Sequence, residues 1–328
     1  MVKIKNPLLI SWILLGIVFV GSVLLGRYPS PGFVSPGANN NDPLLMSLIT
    51  NLRLPRIISA VLLGITLSLA GLVMQTVFHN PLVDPGFLGV SQGAAFGAAL
   101  AIIFGGTLGL LVQGSAILFG LLGLGLSFWI SKKIRFGGKI LKLILAGLAV
   151  SALFSAGVGI LKYIADPLSE LPEIVFWLLG GLWSIQWKDI YLLLPVVFGG
   201  IVFIYFYRWR LNILSLGEDV AFSLGVNQGR ETTLAIIIAV IITACMVSIS
   251  GIVSWIGLVV PNVARILTGA DTAKSVPVTI ALGGIFALLC DDLARTLLAG
   301  EIPLSIFTAL FGAVIFIFII SYKKRGLE

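Results

Sequence analysis

The 328-residue sequence is poor in charged residues and contains almost no histidine or cysteine. Charged residues make up 11% of the chain, His79 is the only histidine, and there are two cysteines. A single histidine excludes a metal site built on several histidines. It also means that a Ser-His-Asp triad would leave no second histidine for another role. Cys245 and Cys290 lie inside apolar runs, where a thiol behaves as a small hydrophobic group. We therefore expect neither a disulfide framework nor a metal site.

The sequence also lacks a phosphate-binding loop and any polar stretch long enough to be a soluble domain. Without the motif G-x-x-x-x-G-K-[ST] the chain cannot hold ATP by that route, and we expect it to bind no cofactor. Its carboxylates mostly flank the apolar segments, whereas ion-coupled carriers usually bury them in mid-span. These absences disfavour an enzyme and a secondary transporter.

Hydrophobic residues dominate what remains. They form 58% of the chain, and 38 glycines accompany them, a composition typical of closely packed membrane helices. At ~20 residues per span, the sequence predicts an all-α polytopic membrane protein of about ten transmembrane helices in a single domain, residues 1–328. The predicted spans are 7–26, 54–77, 88–104, 108–131, 140–164, 188–207, 231–250, 252–267, 276–298 and 303–322.

Lysine and arginine predict the orientation of these spans. Basic residues in short loops are retained on the cytoplasmic side, and most of the 21 basic residues fall on the side that also holds both termini. The net charge of +7 therefore reflects membrane topology, and no nucleic-acid partner is expected. A smaller group is predicted to lie outside: Arg27, Arg53, Arg56, Lys162, Lys188 and Arg295.

A short polar stretch, LGEDVAFSLG at residues 216–225, separates the sixth and seventh predicted spans. Its acidic first turn suits the positive end of a helix dipole, and two of its side chains form a small apolar face. The pattern predicts a cytoplasmic surface helix within about 214–226, which either connects two spans or docks on a partner. The residues that define it are Gly217, Glu218, Ala221, Leu224 and Gly225.

Charged residues near the predicted outer end have two interpretations each. Arg53 and Arg56 precede and enter the second span, and Arg295 lies near the end of the ninth. They either snorkel to lipid headgroups or meet a partner's carboxylates.

Asp291 and Asp292 fall inside the ninth apolar segment, where a charge requires a partner. A structural role, in which one carboxylate pairs with Arg295 at spacing i,i+3 or i,i+4 or caps a neighbouring helix, is favoured over a proton relay.

Two further stretches are candidates for a transport pathway. HNPLVDPG at 79–86 cannot be helical throughout, because its prolines restrict the residues before them and Gly86 permits a sharp turn. It is either a plain turn or a gate. LILAGLAVSALFSAGVG, at the start of the fifth span, repeats small residues that serve either tight helix packing or the wall of a wide pathway.

Four separated motifs carry a resemblance to a known family. They are RLPRIISAVLLGITLSLAGLVMQTVFHNPLVDPGFLGVSQGAAFGAAL at 53–100, LGEDVAFSLG at 216–225, SGIVSWIGLVVPNVARILTG at 250–269 and DDLARTLLAGEIPLSIFTALFGA at 291–313. In this order and spacing they resemble the FecCD family of ABC importer permeases, which carry iron siderophores, haem and cobalamin across the cytoplasmic membrane of prokaryotes. The resemblance implies the type II importer fold, a homodimer, two cytoplasmic ATPase subunits that hold ATP and Mg²⁺, and an extracytoplasmic binding protein.

The resemblance also implies a role for each candidate site. The stretch at 216–225 is similar to the coupling helix that docks on the ATPase, and Glu218, Ala221 and Leu224 are expected to contact it. Asn80, Pro81 and Leu82 are similar to a cytoplasmic gate, and the fifth span to a wall of the pathway. Arg53, Arg56 and Arg295 match arginines that receive acidic residues of the binding protein.

The chain departs from the common sequence of the family at several positions, and these departures limit how closely the substrate can be predicted. The chain has Asn262 after Pro261 and Thr272 after Asp271 where the family commonly has histidine, and it doubles an acid at Asp291 and Asp292. We expect an iron chelate or haem first and cobalamin next. The same machinery importing an oxyanion such as molybdate or tungstate is the alternative, and an ion-coupled secondary transporter is less favoured.

Overall fold

The chain runs back and forth through a bundle of apolar helices. This computed structural model describes residues 6–28, 32–33, 42–105, 109–298 and 300–324, without the side chains of Glu218, Asp219 and 322–324. The helices are α1 (Pro7–Leu24), α2 (Pro43–Leu48), α3 (Leu54–Val77), α4 (Val90–Gly105), α5 (Gly109–Ser131), α6 (Lys139–Ile164), α7 (Glu170–Leu179), α8 (Trp187–Leu214), α9 (Glu218–Ser223), α10 (Gln228–Ser250), α11 (Ile256–Thr268), α12 (Thr272–Thr296) and α13 (Leu304–Lys324).

The predicted all-α architecture is confirmed, and each of the ten predicted spans is a helix. Eight of them are long and apolar enough to cross a membrane, and α4 and α11 are shorter apolar helices. The short helices α2 and α7 were not predicted. A π-helical turn, Ile49–Arg53, joins α2 to α3, and a 3-10 turn, Pro85–Leu88, precedes α4. Strands β1 (Leu25–Gly26) and β2 (Gly32–Phe33) pair antiparallel, with Leu25 opposite Phe33.

Successive long helices alternate in direction, so the bundle has two distinct ends. We call the end at which α1 begins the proximal end, and the other the distal end. The proximal end carries the α3–α4 loop, α9 and the α11–α12 turn. The distal end carries β1, β2, α7 and the α12–α13 loop. The proximal end corresponds to the predicted cytoplasmic face.

Helix α3 lies at the centre of the bundle, because glycines let its neighbours approach closely. A Cβ atom on Gly64 would collide with the carbonyl of Gly283 in α12, and one on Gly71 would collide with the carbonyl of Gly257 in α11. Small residues at such crossings let helix backbones touch, which is how membrane helices gain packing energy without a hydrophobic driving force. As a result α3 and α12 are the most buried of the long helices.

The start of α11 depends on one side chain of α3. Pro261 has no backbone N–H, so the carbonyl of Gly257, four residues earlier, lacks its usual helical donor. Nε2 of Gln75 donates to this carbonyl at 3.1 Å and to that of Leu258 at 3.1 Å. A carbonyl left unpaired inside a bilayer is costly, so Gln75 stabilises a proline-containing helix inside the bundle.

Candidate functional site

At the distal end, Arg56 forms an ion pair inside the protein. Its Nε donates to Asp291 Oδ1 at 3.0 Å and Oδ2 at 3.1 Å, which joins the start of α3 to the end of α12. Its Nη1 donates to Glu301 Oε1 at 2.7 Å. The Asp291 side chain is fully buried and that of Arg56 is 11% exposed, whereas the Glu301 side chain is 43% exposed. Glu301 is therefore the member of this group that solvent or a partner can reach.

Arg295 forms a second buried pair, with Asp292. Its Nη2 lies 2.6 Å from Asp292 Oδ1 and also donates to the carbonyl of Ser22, and its Nη1 donates to the carbonyl of Leu25. Its Nε lies 3.9 Å from Asp291 Oδ2. The Ser22 hydroxyl donates to Asp292. The predicted pairing of one aspartate with Arg295 is confirmed by Asp292 at spacing i,i+3, and Asp291 lies within ion-pair distance at spacing i,i+4 as well.

The doubled acid now has a physical explanation. Two guanidinium groups, those of Arg56 and Arg295, are buried at the end of the bundle, and two carboxylates, those of Asp291 and Asp292, neutralise them. A buried charge without a partner is strongly destabilising. With a single acid in α12, one of the two arginines would lose its buried carboxylate partner.

Arg53, unlike the other two predicted docking arginines, forms no ion pair with the described residues. Its Nη2 donates to the carbonyl of Tyr28 at 3.2 Å, and its Nη1 is covered and has no hydrogen-bond partner among the described residues. All three arginines line a cleft of about 330 Å³, together with Glu301. Arg56 and Arg295 thus already hold carboxylates of their own chain before any partner binds. Docking itself stays a prediction.

At the proximal end, 216–225 forms the expected short helix. Gly217, with φ of 98°, precedes α9, and Gly225, with φ of 73°, follows it. Residues other than glycine rarely adopt such angles. Backbone hydrogen bonds from Ala221 to Gly217 and from Gly225 to Phe222 close the turns at either end. The side chain of Glu218, one of the predicted contact residues, lies outside the described residues.

The orientation of α9 corrects the predicted contact face. Ala221 is fully buried in the same core cluster as Leu214 and Val226, so it cannot touch another protein. Leu224 is exposed as predicted, and the largest exposed side chain is that of Phe222, which is 80% exposed. The available apolar surface is formed by Leu216, Val220, Phe222 and Leu224.

Hydrogen bonds connect the helices on either side of α9 to the rest of the bundle. Asn212, near the end of α8, donates to Asp271 Oδ1 at 2.8 Å and accepts from the Thr272 backbone N–H at 2.7 Å. The bond from Asn212, together with the Ala273 N–H, lowers the pKa of Asp271. Asp271 therefore stays ionised at neutral pH as the N-cap of α12. These bonds join α8 directly to α12, next to α9.

The predicted gate residues form a tight loop that is hydrogen-bonded to α11. Asn80 Oδ1 accepts from the Leu82 N–H at 2.9 Å, and the carbonyl of Pro81 accepts from Asn262 Nδ2 at 3.0 Å. Asn262 also donates to the carbonyl of Leu258. Leu82 is 52% exposed. The loop is therefore attached to α11 through Asn262, the residue that stands where the family commonly has histidine.

The same loop continues into the bundle and packs on α6. A Cβ atom on Gly147 of α6 would collide with the carbonyl of Phe87, and one on Gly89, where φ is 80°, would collide with Val150. The small residues of this part of α6 thus serve close packing on one face. Leu153 and Ile160 are exposed on the described chain, so α6 also leaves apolar surface free for lipid, a second copy or a pathway.

Sequence reasoning missed the placement of three residues in these sites. Phe222 was overlooked because the predicted apolar face of α9 was assigned to Ala221 and Leu224. A small residue such as Ala221, placed between bulky apolar residues, instead indicates close packing against the protein. Glu301 lies in the loop between the last two predicted spans, where no periodic sequence pattern distinguishes it. Asn262 was recognised as a departure that bears on packing or ATPase contact, but its partner Pro81, 181 positions away, could not be predicted.

Comparison with known proteins gives a consistent result. The sequence model of the FecCD transport family matches residues 12–322. The chain is 41% identical to the molybdate import system permease protein MolB of Haemophilus influenzae, over 96% of this chain and 95% of that protein. It is 36% identical to the hemin transport system permease protein HmuU of Yersinia pestis, over 95% and 94%.

A solved structure shares the whole architecture. It was described as an inward-facing conformation of a metal-chelate type ABC transporter, and it superposes with a TM-score of 0.88 at 39% identity, covering 96% of this chain and 98% of that one. The family match and these relatives extend over nearly the full length of the sequence, so they apply to the bundle and to all three candidate sites. The chain belongs to the FecCD transport family.

Proposed function

We propose that this chain is the transmembrane permease subunit of an ATP-binding cassette importer in a prokaryotic cytoplasmic membrane. Two copies form the pathway, two cytoplasmic ATPase subunits supply the work, and an extracytoplasmic binding protein delivers the substrate. The observation that carries the proposal is the full-length match to the FecCD transport family, over residues 12–322. The chain itself is not catalytic.

The proximal end faces the cytoplasm in this proposal. It holds the basic loops, including Lys132, Lys133 and Arg135 between α5 and α6. Basic residues in short loops favour this side. Both termini then lie inside. The exposed apolar side chains of α9 meet the ATPase, and the loop around Leu82 lies at the cytoplasmic exit of the pathway.

The substrate we propose is a metal chelate, such as an iron siderophore, haem or cobalamin. Relatives named for hemin, Fe(3+) dicitrate and cobalamin support it, as does the structural match to a metal-chelate transporter. An oxyanion such as molybdate is the second candidate, because the molybdate permease MolB is 41% identical over nearly the full length.

Reconstitution tests the proposed machinery. The chain is placed in liposomes with its ATPase and binding protein, and uptake of labelled haem and labelled molybdate is measured with and without ATP. We expect uptake of one probe only when all three components and ATP are present. Uptake by the chain alone under a proton or sodium gradient would contradict the proposal, and uptake of molybdate but not haem would select the second candidate substrate.

Docking of the binding protein is expected to involve Arg53 and Glu301. A partner carboxylate that enters the cleft can bind the guanidinium of Arg53, which pairs with no carboxylate of the described residues, and it can replace Glu301 on Arg56. Electrostatic attraction of this kind mainly raises the association rate, and salt screens it. The buried pairs Arg56–Asp291 and Arg295–Asp292 hold the cleft in shape.

Reversing the charge of Arg53 is the first test of docking. In Arg53→Glu, association of the loaded binding protein should slow by up to about fivefold at low ionic strength, since exposed pairs contribute about 1 kcal/mol or less. The difference should shrink at high salt. Lys188→Glu makes the same charge change at the same end, outside the cleft, and should have a smaller effect. Equal rates for Arg53→Glu and the unmodified protein at both salts would exclude the docking role.

Arg56→Glu is expected to act differently, through stability. It would place a third carboxylate beside the buried Asp291, and breaking a buried ion pair costs about 3–5 kcal/mol. The thermal midpoint in detergent should therefore fall clearly in Arg56→Glu and stay nearly unchanged in Arg53→Glu.

The gate is tested by cross-linking. In the closed-exit state of the proposed homodimer, Leu82→Cys should form a disulfide across the two-fold axis, because Leu82 is exposed on the loop beneath the pathway. The native Cys245 and Cys290 are buried and should not react. Phe222→Cys, at the same end and more exposed than Leu82, serves as the control and should stay uncross-linked. If Leu82→Cys gives no cross-link in any nucleotide state, the loop is only a turn.

The ATPase contact is tested on α9. Phe222→Asp should reduce ATPase association by about tenfold or more, because burying an aromatic side chain contributes about 1.5–3 kcal/mol. Ser223→Asp places the same charge on the neighbouring exposed residue and is the control. Ala221→Arg should instead disrupt folding, since Ala221 is fully buried. Normal ATP-driven transport by Phe222→Asp would rule out this surface as the contact.

A further inference from the structure

A groove at the proximal end has no role in the proposed transport cycle. It has a volume of about 760 Å³ and lies between the start of α1, the last third of α8, the end of α11 and the start of α12. Apolar and aromatic side chains of α1 and α8 form much of its wall, and two basic residues line it. The residues that matter for the argument are Leu8, Trp12, Tyr205, Arg208, Lys274 and Val278.

Arg208 is the unusual residue of this groove. Its Nε and Nη1 are covered and have no hydrogen-bond partner among the described residues. Its guanidinium carbon lies 4.0 Å from the centre of the Tyr205 ring, a cation–π contact that holds the group without satisfying its donors. Arg210, one half-turn further along α8, is by contrast paired with Glu231 at 3.1 Å.

The described lining of the groove provides no anion for Arg208. It contains no aspartate or glutamate. The second basic residue, Lys274, lies 3.5 Å from Asp271, but its side chain is 73% exposed, so this pair is weak. An anion that enters the groove can therefore meet Lys274 and allow the guanidinium of Arg208 to turn towards it. A phosphate group, with several acceptor oxygens, suits a guanidinium particularly well.

The position of the groove matches the boundary between headgroups and acyl chains. Arg208 lies six residues before the end of α8, about 9 Å into the bundle at a rise of 1.5 Å per residue. Leu8 and Trp12 of α1 are both close to half exposed, so the groove opens beside an apolar surface. Acyl chains can cover that surface while a headgroup reaches the basic side chains, as in basic pockets between transmembrane helices elsewhere.

We propose that this groove binds the phosphate headgroup of an anionic phospholipid from the leaflet that surrounds the proximal end. Arg208 and Lys274 bind the phosphate oxygens, and the surface of Leu8 and Trp12 accommodates the acyl chains. Charge complementarity and the open apolar wall of α1 select a lipid as the occupant. The inference requires only that the bundle spans a membrane, and it stands independently of the transported substrate.

Lipid retention measured by native mass spectrometry tests the proposal. The full-length protein, titrated with phosphatidylglycerol, should retain this lipid in preference to phosphatidylcholine. In Arg208→Gln its apparent affinity should fall by about tenfold, the value expected for losing charge-assisted hydrogen bonds. Arg210→Gln removes the same charge two residues away and should leave retention unchanged. Equal retention in Arg208→Gln and the unmodified protein would overturn the proposal.

Two further measurements separate the lipid from other occupants and locate it. Inorganic phosphate at millimolar concentration should not displace phosphatidylglycerol, and displacement would overturn the lipid in favour of a soluble anion. Brominated phosphatidylglycerol should quench tryptophan fluorescence in the unmodified protein, and Trp12→Phe should remove part of the quenched signal. An unchanged quenched signal in Trp12→Phe would show that the lipid binds elsewhere.

Discussion

Inside a bilayer every backbone carbonyl must find a donor within the protein, and at the start of α11 that donor is the side chain of Gln75. Pro261 removes the helical N–H that would serve Gly257, and Nε2 of Gln75 replaces it. Because Gly71 meets Gly257 at the same point, α3 and α11 touch backbone to backbone. The contact holds α11 against the most buried helix of the protein.

The proposed gate depends on that contact. Asn262, one residue after the proline, is bonded to the carbonyl of Pro81, so the loop that carries Leu82 is attached to α11. The other end of the loop packs on Gly147 and Val150 of α6. A shift of α11 relative to α6 would therefore deform the loop. In the proposed transport cycle, a movement of the helices would thus be transmitted to the loop at the cytoplasmic exit.

The distal end is stabilised by a different interaction, the neutralisation of buried charges. Two buried arginines and two buried aspartates neutralise each other, and each pair joins α12 to another helix or to the strand that follows α1. Arg53 and the half-exposed Glu301 remain at the surface of the cleft. The network thus combines a rigid interior with a cleft that also holds the half-exposed carboxylate of Glu301 and two further cations, Arg53 and the exposed Arg27, a combination suited to a transient electrostatic contact.

Length, hydropathy and i,i+3 or i,i+4 spacing are local properties. The ten apolar helices, their order, the short helix at 216–225 and the pairing of Arg295 with one aspartate could therefore be predicted from the sequence. Which of these side chains are buried, paired or exposed depends instead on contacts between helices that are distant in the sequence. In the folded protein Ala221 is buried, Phe222 is exposed and Arg56 pairs with Asp291, while no carboxylate of the described residues pairs with Arg208. In a membrane helix both the lipid-facing and the protein-facing sides are apolar, so hydropathy cannot tell which face packs. The partners of these residues come from other helices, many of them more than a hundred positions away in the chain.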